Sequence, residues 1–161
     1  MEYKLLLDLF KLKKQVKTWK NDNNTVVFTN GCFDLLHQGH IDLISHASCL
    51  GDRLIVGINS DESVSNLKGP KRPIESEIVR VNNIIDLGII SAITVFNEKT
   101  PIDIINTIQP DYLVKGGDYL PENVIGYNEL MSWGGMVKIY PLKKGFSTTE
   151  KIKKMKREGL V

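Results

Sequence analysis

Residues 25–40 read TVVFTNGCFDLLHQGH, and the change of texture inside this stretch decides the fold. Thr25 to Thr29 is a run of β-branched and aromatic residues, the composition of a buried strand, and it ends in Asn30-Gly31. A helical segment follows from about Gly39 to Cys49, closed by Gly51. The same alternation continues downstream. Leu54 to Ile58, Ala92 to Phe96, Tyr112 to Lys115 and Met136 to Tyr140 read as four further strands. Helices are expected near 76–87, 101–108 and 122–133, and Thr148 or Thr149 is placed to cap a last helix running into a lysine-rich tail, read as a solvated face. Continuous apolar strands separated by helices of this length predict a parallel sheet covered on both faces: a doubly wound α/β domain of five strands. Ligands in such sheets bind outside the carboxyl ends of the strands, which directs attention to the residues after each one.

Upstream, Leu5, Leu9, Leu12, Val16 and Trp19 repeat at spacings of four and three, one stripe along an N-terminal helix. Residues 1–24 are therefore expected to form a helical extension and a polar linker, and residues 25–161 the domain proper. The length of 161 residues suits a single domain. Lys and Arg number 21 against 19 Asp and Glu, leaving +2. That balance lacks the concentrated basic excess of a nucleic-acid binder, so no nucleic-acid partner is expected. No apolar run approaches the roughly 18 residues of a membrane span, and Asp8 interrupts the N-terminal apolar stretch, against a secretory signal. Cys32 and Cys49 have neither metal-site nor disulfide-scaffold spacing and read as free thiols of a cytoplasmic protein.

All three histidines, His37, His40 and His46, fall within ten residues. His37 and His40 flank Gly39 where a helix should begin. Backbone N–H groups at a helix N-terminus favour anions, and a glycine there allows close approach of a phosphate. Two imidazoles at that place can donate to phosphate oxygens as charge develops. Nothing elsewhere in the chain completes a structural zinc site around them. His46 lies about 120° further round the helix and is expected to pack or face solvent.

The full string GxFDxxHxGH after a strand resembles the Rossmann-like nucleotidyltransferase superfamily of cytidylyltransferases and related adenylyltransferases. Asn59-Ser60-Asp61-Glu62-Ser63-Val64, Leu67-Lys68-Gly69-Pro70 with Arg72-Pro73, Leu113-Val114-Lys115-Gly116-Gly117-Asp118-Tyr119 and Gly145-Phe146-Ser147-Thr148-Thr149-Glu150-Lys151-Ile152 narrow the resemblance to the adenylyltransferase domains of ADP-heptose synthases. The likeness runs over nearly the whole chain. Between Ile74 and Arg80 only Arg80 matches closely, and Lys143 and Lys144 stand before the serine-threonine motif where glycerol-3-phosphate cytidylyltransferases carry an arginine.

The resemblance implies attack by a sugar 1-phosphate, D-glycero-β-D-manno-heptose 1-phosphate first among them, on the α-phosphorus of ATP. The products are pyrophosphate and ADP-heptose, whose destination stays open among lipopolysaccharide, another surface glycan and a small glycosylated metabolite. It implies catalytic roles for His37, His40 and Lys68, with Lys68 on a mobile loop. Thr29, Asn30, Gly31, Phe33, Asp34, Gly39, Lys115, Ser147, Thr148 and Thr149 would bind the nucleotide, and Asp61, Arg80, Gly117 and Asp118 the acceptor. Mg²⁺ would arrive with the triphosphate, without a dedicated protein site. A separate heptose kinase and a homodimeric assembly are also implied. An alternative keeps the mechanism and exchanges the substrates for CTP and a polyol phosphate such as glycerol 3-phosphate. A silent nucleotide-binding relative is the reading from another class, and the intact His37, Gly39, His40, Lys68 and Ser147–Thr149 count against it.

Overall fold

A computed structural model of the protein describes residues 5–142 and 147–161. Lys143, Lys144, Gly145 and Phe146 lie outside the described residues. Strands β1 (Val26–Gly31), β2 (Arg53–Asn59), β3 (Ala92–Phe96), β4 (Tyr112–Gly116) and β5 (Met136–Tyr140) form one parallel sheet in the order β3-β2-β1-β4-β5. Each strand lies where its apolar run predicts, within two residues at either end. The β-branched composition of β1 suits a strand with neighbours on both sides, Phe28 lying opposite Ile55 of β2 and Leu113 of β4. Strand order reverses between β1 and β4, which opens a crevice beyond their carboxyl ends.

Side chains alternate across β1 and seed two cores. Val26 and Phe28 pack with α1 (Leu9–Asn21) and α5 (Ile102–Ile108), through Leu12, Val16, Trp19, Ile104, Ile105 and Ile108. Val27 faces the other way, into a cluster with Leu43, Ile44 and Ala47 of α2 (Gln38–Ser48) and Val81 and Ile84 of α4 (Glu77–Ile85). The N-terminal helix thus contributes to the same core as the central strand. Its stripe begins at Leu9 rather than Leu5, because Asp8 caps it by accepting from the Lys11 N–H at 2.8 Å. Leu5 instead belongs to a short extended segment that pairs with β3, where Leu7 N–H donates to Ile93 and Ile93 N–H to Leu5.

Three further differences from expectation have local causes. The expected helix at 122–133 is divided into a 3₁₀ turn (Pro121–Asn123) and α6 (Tyr127–Ser132). Gly126 between them has φ +95°, and a Cβ there would meet Ile105 Cδ1 at 2.8 Å, so the chain turns where it presses on α5. The helix α3 (Asp61–Lys68) was not expected, and it takes Lys68 out of a loop and onto a helix C-terminus. The last helix, α7 (Thr148–Arg157), is capped not by either threonine but by Ser147, whose Oγ accepts from Glu150 N–H at 3.1 Å.

Candidate active site

α2 begins at the carboxyl end of β1, and its two histidines cap it for each other. His37 occupies the N-cap, and its Nδ1 accepts from Gly39 N–H at 3.1 Å. His40 Nδ1 accepts in turn from His37 N–H at 3.4 Å, a reciprocal capping box built from imidazoles. The rings stack with centroids 3.7 Å apart and planes 20° from parallel, and Phe33 meets the His40 ring edge-on. An Nδ1 that accepts carries no proton, so each neutral ring holds its proton on Nε2. Both rings stay neutral at neutral pH. Burial, then repulsion from His37 once that ring is protonated and from the Lys68 and Lys151 ammonium groups, drives the His40 pKa down to about 3, with Asp34 opposing. Burial and Lys151 lower that of His37, with Glu150 opposing. The pair therefore offers two Nε2–H donors and no charge of its own.

The loop between β1 and α2 is held in a costly conformation. Phe33 and Leu35 adopt left-handed backbone at φ +49° and +54°, unfavourable for bulky side chains. Asp34 between them secures the loop from beneath. One carboxylate oxygen accepts from Arg72 Nε at 2.7 Å and Ile74 N–H at 2.9 Å, and the other from Glu75 N–H at 2.9 Å. Burial alone would raise its pKa, but the Glu75 and Ile74 N–H groups and Arg72 outweigh it and hold the carboxyl below the ordinary range.

Two lobes of one cleft meet over the ends of β1 and β4, sharing Asn30, Gly31, Cys32, Lys68, Lys115 and Tyr119. The inner lobe, about 350 Å³, adds His37, His40, Phe33 and Ser147–Thr149. The outer lobe, about 500 Å³, extends past Asn59, Lys99, Thr100 and Asn123. Lys68 and Lys115 stand in the shared wall. Burial lowers the Lys115 pKa, Lys68 adding to the effect and Cys32 opposing it. The N-terminus of α7 closes the inner lobe. Thr148 Oγ1 donates to the Asp34 carbonyl at 3.1 Å, and Lys151 Nζ to the Leu36 carbonyl at 2.7 Å. The N-terminal turn of that helix, two lysines in the wall and two neutral donors make a cradle suited to a polyphosphate.

The structure brings His37, His40, Lys68, Asn30, Gly31, Phe33, Lys115, Ser147, Thr148 and Thr149 to this cleft. Other candidates have different surroundings. Thr29 is buried under it, tying β1 to β4 by donating to the Val114 carbonyl at 2.9 Å. Asp34 borders the lobe with its carboxylate turned to the protein, and Gly39 commits its N–H to His37 and lines neither lobe. Arg80 is fully buried and spends its guanidinium on the carbonyls of Cys32, Asn59 and Glu75 and on Asp61, so it clamps the ends of β1 and β2 rather than presenting itself to a ligand. Asp61 is thereby occupied with Arg80. In the glycine turn after β4, Asp118 is exposed and lines neither lobe. Gly117, at φ +123° with no room for a Cβ beside Tyr119, directs the following tyrosine to both lobes instead. Lys151 and Arg72 went unrecognised as site residues. The first was absorbed in a basic tail, and only its place in the first turn after the serine-threonine motif could have separated it. His46 packs against Tyr140, ring centroids 4.7 Å apart.

No group of three or more His, Cys, Asp or Glu among the described residues could hold a metal ion. The carboxylate oxygens of Asp34, which borders the inner lobe, already accept from protein groups.

The model of a family described as cytidylyltransferase-like matches residues 28–155. A bifunctional protein HldE of Koribacter versatilis is 49% identical over 143 residues, 89% of this chain and 29% of that protein. The HldE of Methylobacillus flagellatus is 45% identical over 148 residues, 92% of this chain and 30% of the relative. The chain thus spans about three-tenths of the length of these curated relatives. Among solved structures, a lipopolysaccharide core biosynthesis protein of Thermoplasma volcanium superposes with a TM-score of 0.61 at 26% identity, over 76% of this chain and 99% of that one. A pantoate-β-alanine ligase of Francisella tularensis, TM-score 0.59 at 16% identity over 97% of this chain and 83% of its own, shares the fold.

Proposed function

The chain belongs to the cytidylyltransferase-like family, and on that premise we propose that it transfers the adenylyl group of MgATP to a sugar 1-phosphate, with D-glycero-β-D-manno-heptose 1-phosphate the leading acceptor. The observation that carries the reading is the pair of neutral Nε2–H donors on a helix N-terminus, facing lysines and a second helix N-terminus across one cleft. The likeness to bifunctional HldE proteins, over nearly all of this chain, supports the heptose acceptor.

The chemistry follows from charge. A phosphate monoester has its second pKa near 6 and is largely dianionic at neutral pH, so the nucleophile needs no general base. One of its oxygens forms a bond to the α-phosphorus, the bond from that phosphorus to the bridging oxygen breaks, and the electron pair leaves on pyrophosphate. The obstacle is the approach of an anion to a polyanion. Lys68 and Lys115, in the wall shared by both lobes, would neutralise the meeting point. His37 and His40 would donate to α- and β-phosphate oxygens, gaining strength as charge builds there. Ser147, Thr148 and Thr149 with the α7 N-terminus would grip the leaving pyrophosphate. A Mg²⁺ ion arriving with the triphosphate would supply further charge neutralisation.

The same proposal includes a sugar kinase that supplies the acceptor's phosphate, a homodimeric assembly and a cytosolic setting. No helix among the described residues is long and apolar enough to cross a membrane. The test is pyrophosphate release with ATP or CTP, each offered with heptose 1-phosphate or glycerol 3-phosphate. Release with ATP and heptose 1-phosphate, falling at least about 100-fold in His40→Ala, is the expected result. Release confined to CTP and glycerol 3-phosphate would overturn the substrates.

A further inference from the structure

The peptide group that joins Leu36 to His37 is held at both ends. Its carbonyl accepts from Lys151 Nζ at 2.7 Å, and its N–H donates to His40 Nδ1 at 3.4 Å. One side chain of α7 is thereby linked, through a single peptide unit, to a ring that caps α2. Hydrogen bonds in such a chain polarise one another. A cation on the carbonyl oxygen draws electron density from the amide and makes its N–H a stronger donor. The stronger that donor, the more firmly His40 Nδ1 stays an acceptor and the His40 proton stays on Nε2.

The loop does not set the direction of this peptide by local preference. Leu35, one residue earlier, lies at φ +54°, a region that leucine avoids, so surrounding groups must fix the chain beyond it. Leu35 N–H donates to Glu75 at 3.1 Å, and the Asp34 carbonyl accepts from Thr148 at 3.1 Å. Both contacts lie upstream of the peptide that carries the histidine, and Thr148 already tethers α7 to the loop there. Lys151 adds its bond at the Leu36 carbonyl itself. Its ammonium also lies in the field of both rings. Around His40 stand His37, Lys68 and Lys151 with Asp34 opposed, and around His37 stand Lys151 and Glu150. Lys151 is common to both sets, and its charge disfavours an imidazolium at either ring.

We propose that Lys151 is a positioning residue for the reaction, which acts through the Leu36–His37 peptide to orient both imidazoles and to keep the His40 proton on Nε2. The proposal rests on the adenylyl-transfer reading for its effect on rate, whereas its effect on the rings is measurable without turnover. Lys151 makes no bond to the reacting phosphorus, and the bonds formed and broken are those already described.

The experiment reads the imidazole nitrogen resonances of the full chain, which report the protonated nitrogen of each ring and its titration, together with pyrophosphate release. Lys151→Met removes donor and charge, Lys151→Arg restores both, and Lys153→Met removes a charge from an exposed position of the same helix. In Lys151→Met the His40 signals should move toward those of a ring exchanging between tautomers, and His37 should titrate at higher pH. His46, in the last turn of α2 against Tyr140, should stay in place as the internal reference. kcat should fall about tenfold with KM for MgATP within about twofold, the pattern of an interaction used in the transition state. Lys151→Arg should return kcat to within about threefold of wild type and restore the ring signals, and Lys153→Met should match wild type throughout. Unchanged His37 and His40 signals in Lys151→Met overturn the inference whatever the rate. A shift shared by His46 also overturns it, since the whole helix has then repacked. So does a loss confined to KM for MgATP, which would make Lys151 a ligand of the triphosphate, and so do altered rings with an unaltered kcat. Absence of release from every acceptor in the wild type overturns adenylyl transfer, and the ring signals then decide the inference alone.

Discussion

With both Nδ1 atoms accepting backbone N–H groups, His37 and His40 can each take a proton there only by surrendering a bond that caps α2. This couples the protonation of the site to its folding. The unfolded chain binds a proton on the His40 ring below its ordinary pKa of 6.5, whereas the folded ring resists until about 3. Between these values the unfolded state holds more protons, so stability is complete above pH 6.5 and falls as the pH drops through the window. At about 1.4 kcal/mol per pH unit the loss across it is of order 5 kcal/mol. His40→Asn keeps an oxygen that can accept the His37 N–H and removes the titration. Its urea midpoint should therefore decline less steeply between pH 6.5 and 4.5 than that of the wild type. Equal slopes would show that His40 is not the group responsible. The spacing of the two histidines made their availability to a phosphate legible in the sequence. Their tautomers were not legible, because these follow from ring orientation against backbone that only the folded loop supplies.

Among the elements, the segment from β1 to α2 depends on a neighbour distant in sequence. Asp34 binds the chain at 72–75, and Arg72 and Asp34 have side chains only 14% and 0% exposed. Removing one partner of such a pair leaves a buried charge uncompensated, so Asp34→Asn should cost about 3 kcal/mol of unfolding free energy. The same change releases the backbone about Phe33 and Leu35, so the fall in activity should exceed the loss expected from the unfolded fraction alone. Retention of wild-type stability by denaturant titration would refute this account. The role of Asp34 could not be read from GxFD, since its partners lie some 40 residues on. α3 was hidden for a different reason. It offers only Val64 and Ser63 to the interior, too few for an apolar period, although Ser60 as cap, acidic residues in the first turn and Lys68 in the last mark its ends. α7 contributes no buried residue and is held to the loop through Thr148 and Lys151, so its sequence carried the cap and the charge but not the docking.

At the scale of the whole molecule, the parallel sheet and its crevice were legible because buried strands must be apolar throughout while the helices between them are apolar on one side. The position of the switch between β1 and β4 fixes which strand ends meet, and that explains why residues 30–31, 68 and 115 share a wall despite their separation in sequence. An open sheet also has two outer strands, and they are finished differently. β5 carries Lys138, whose ammonium lies 5.8 Å from the centroid of the Tyr112 ring. β3 instead has its backbone groups at Ile93 taken up by Leu5 and Leu7. The short segment ahead of α1 therefore covers part of the β3 edge against pairing with strands of other molecules. Deleting residues 1–7 would uncover unpaired N–H and C=O groups beside an apolar strand, a template for strands of other molecules. The shortened chain should retain its helices by circular dichroism yet scatter light increasingly with concentration, while the intact protein stays clear under the same conditions. A few residues remote from the cleft would then set how concentrated a solution of the protein can be.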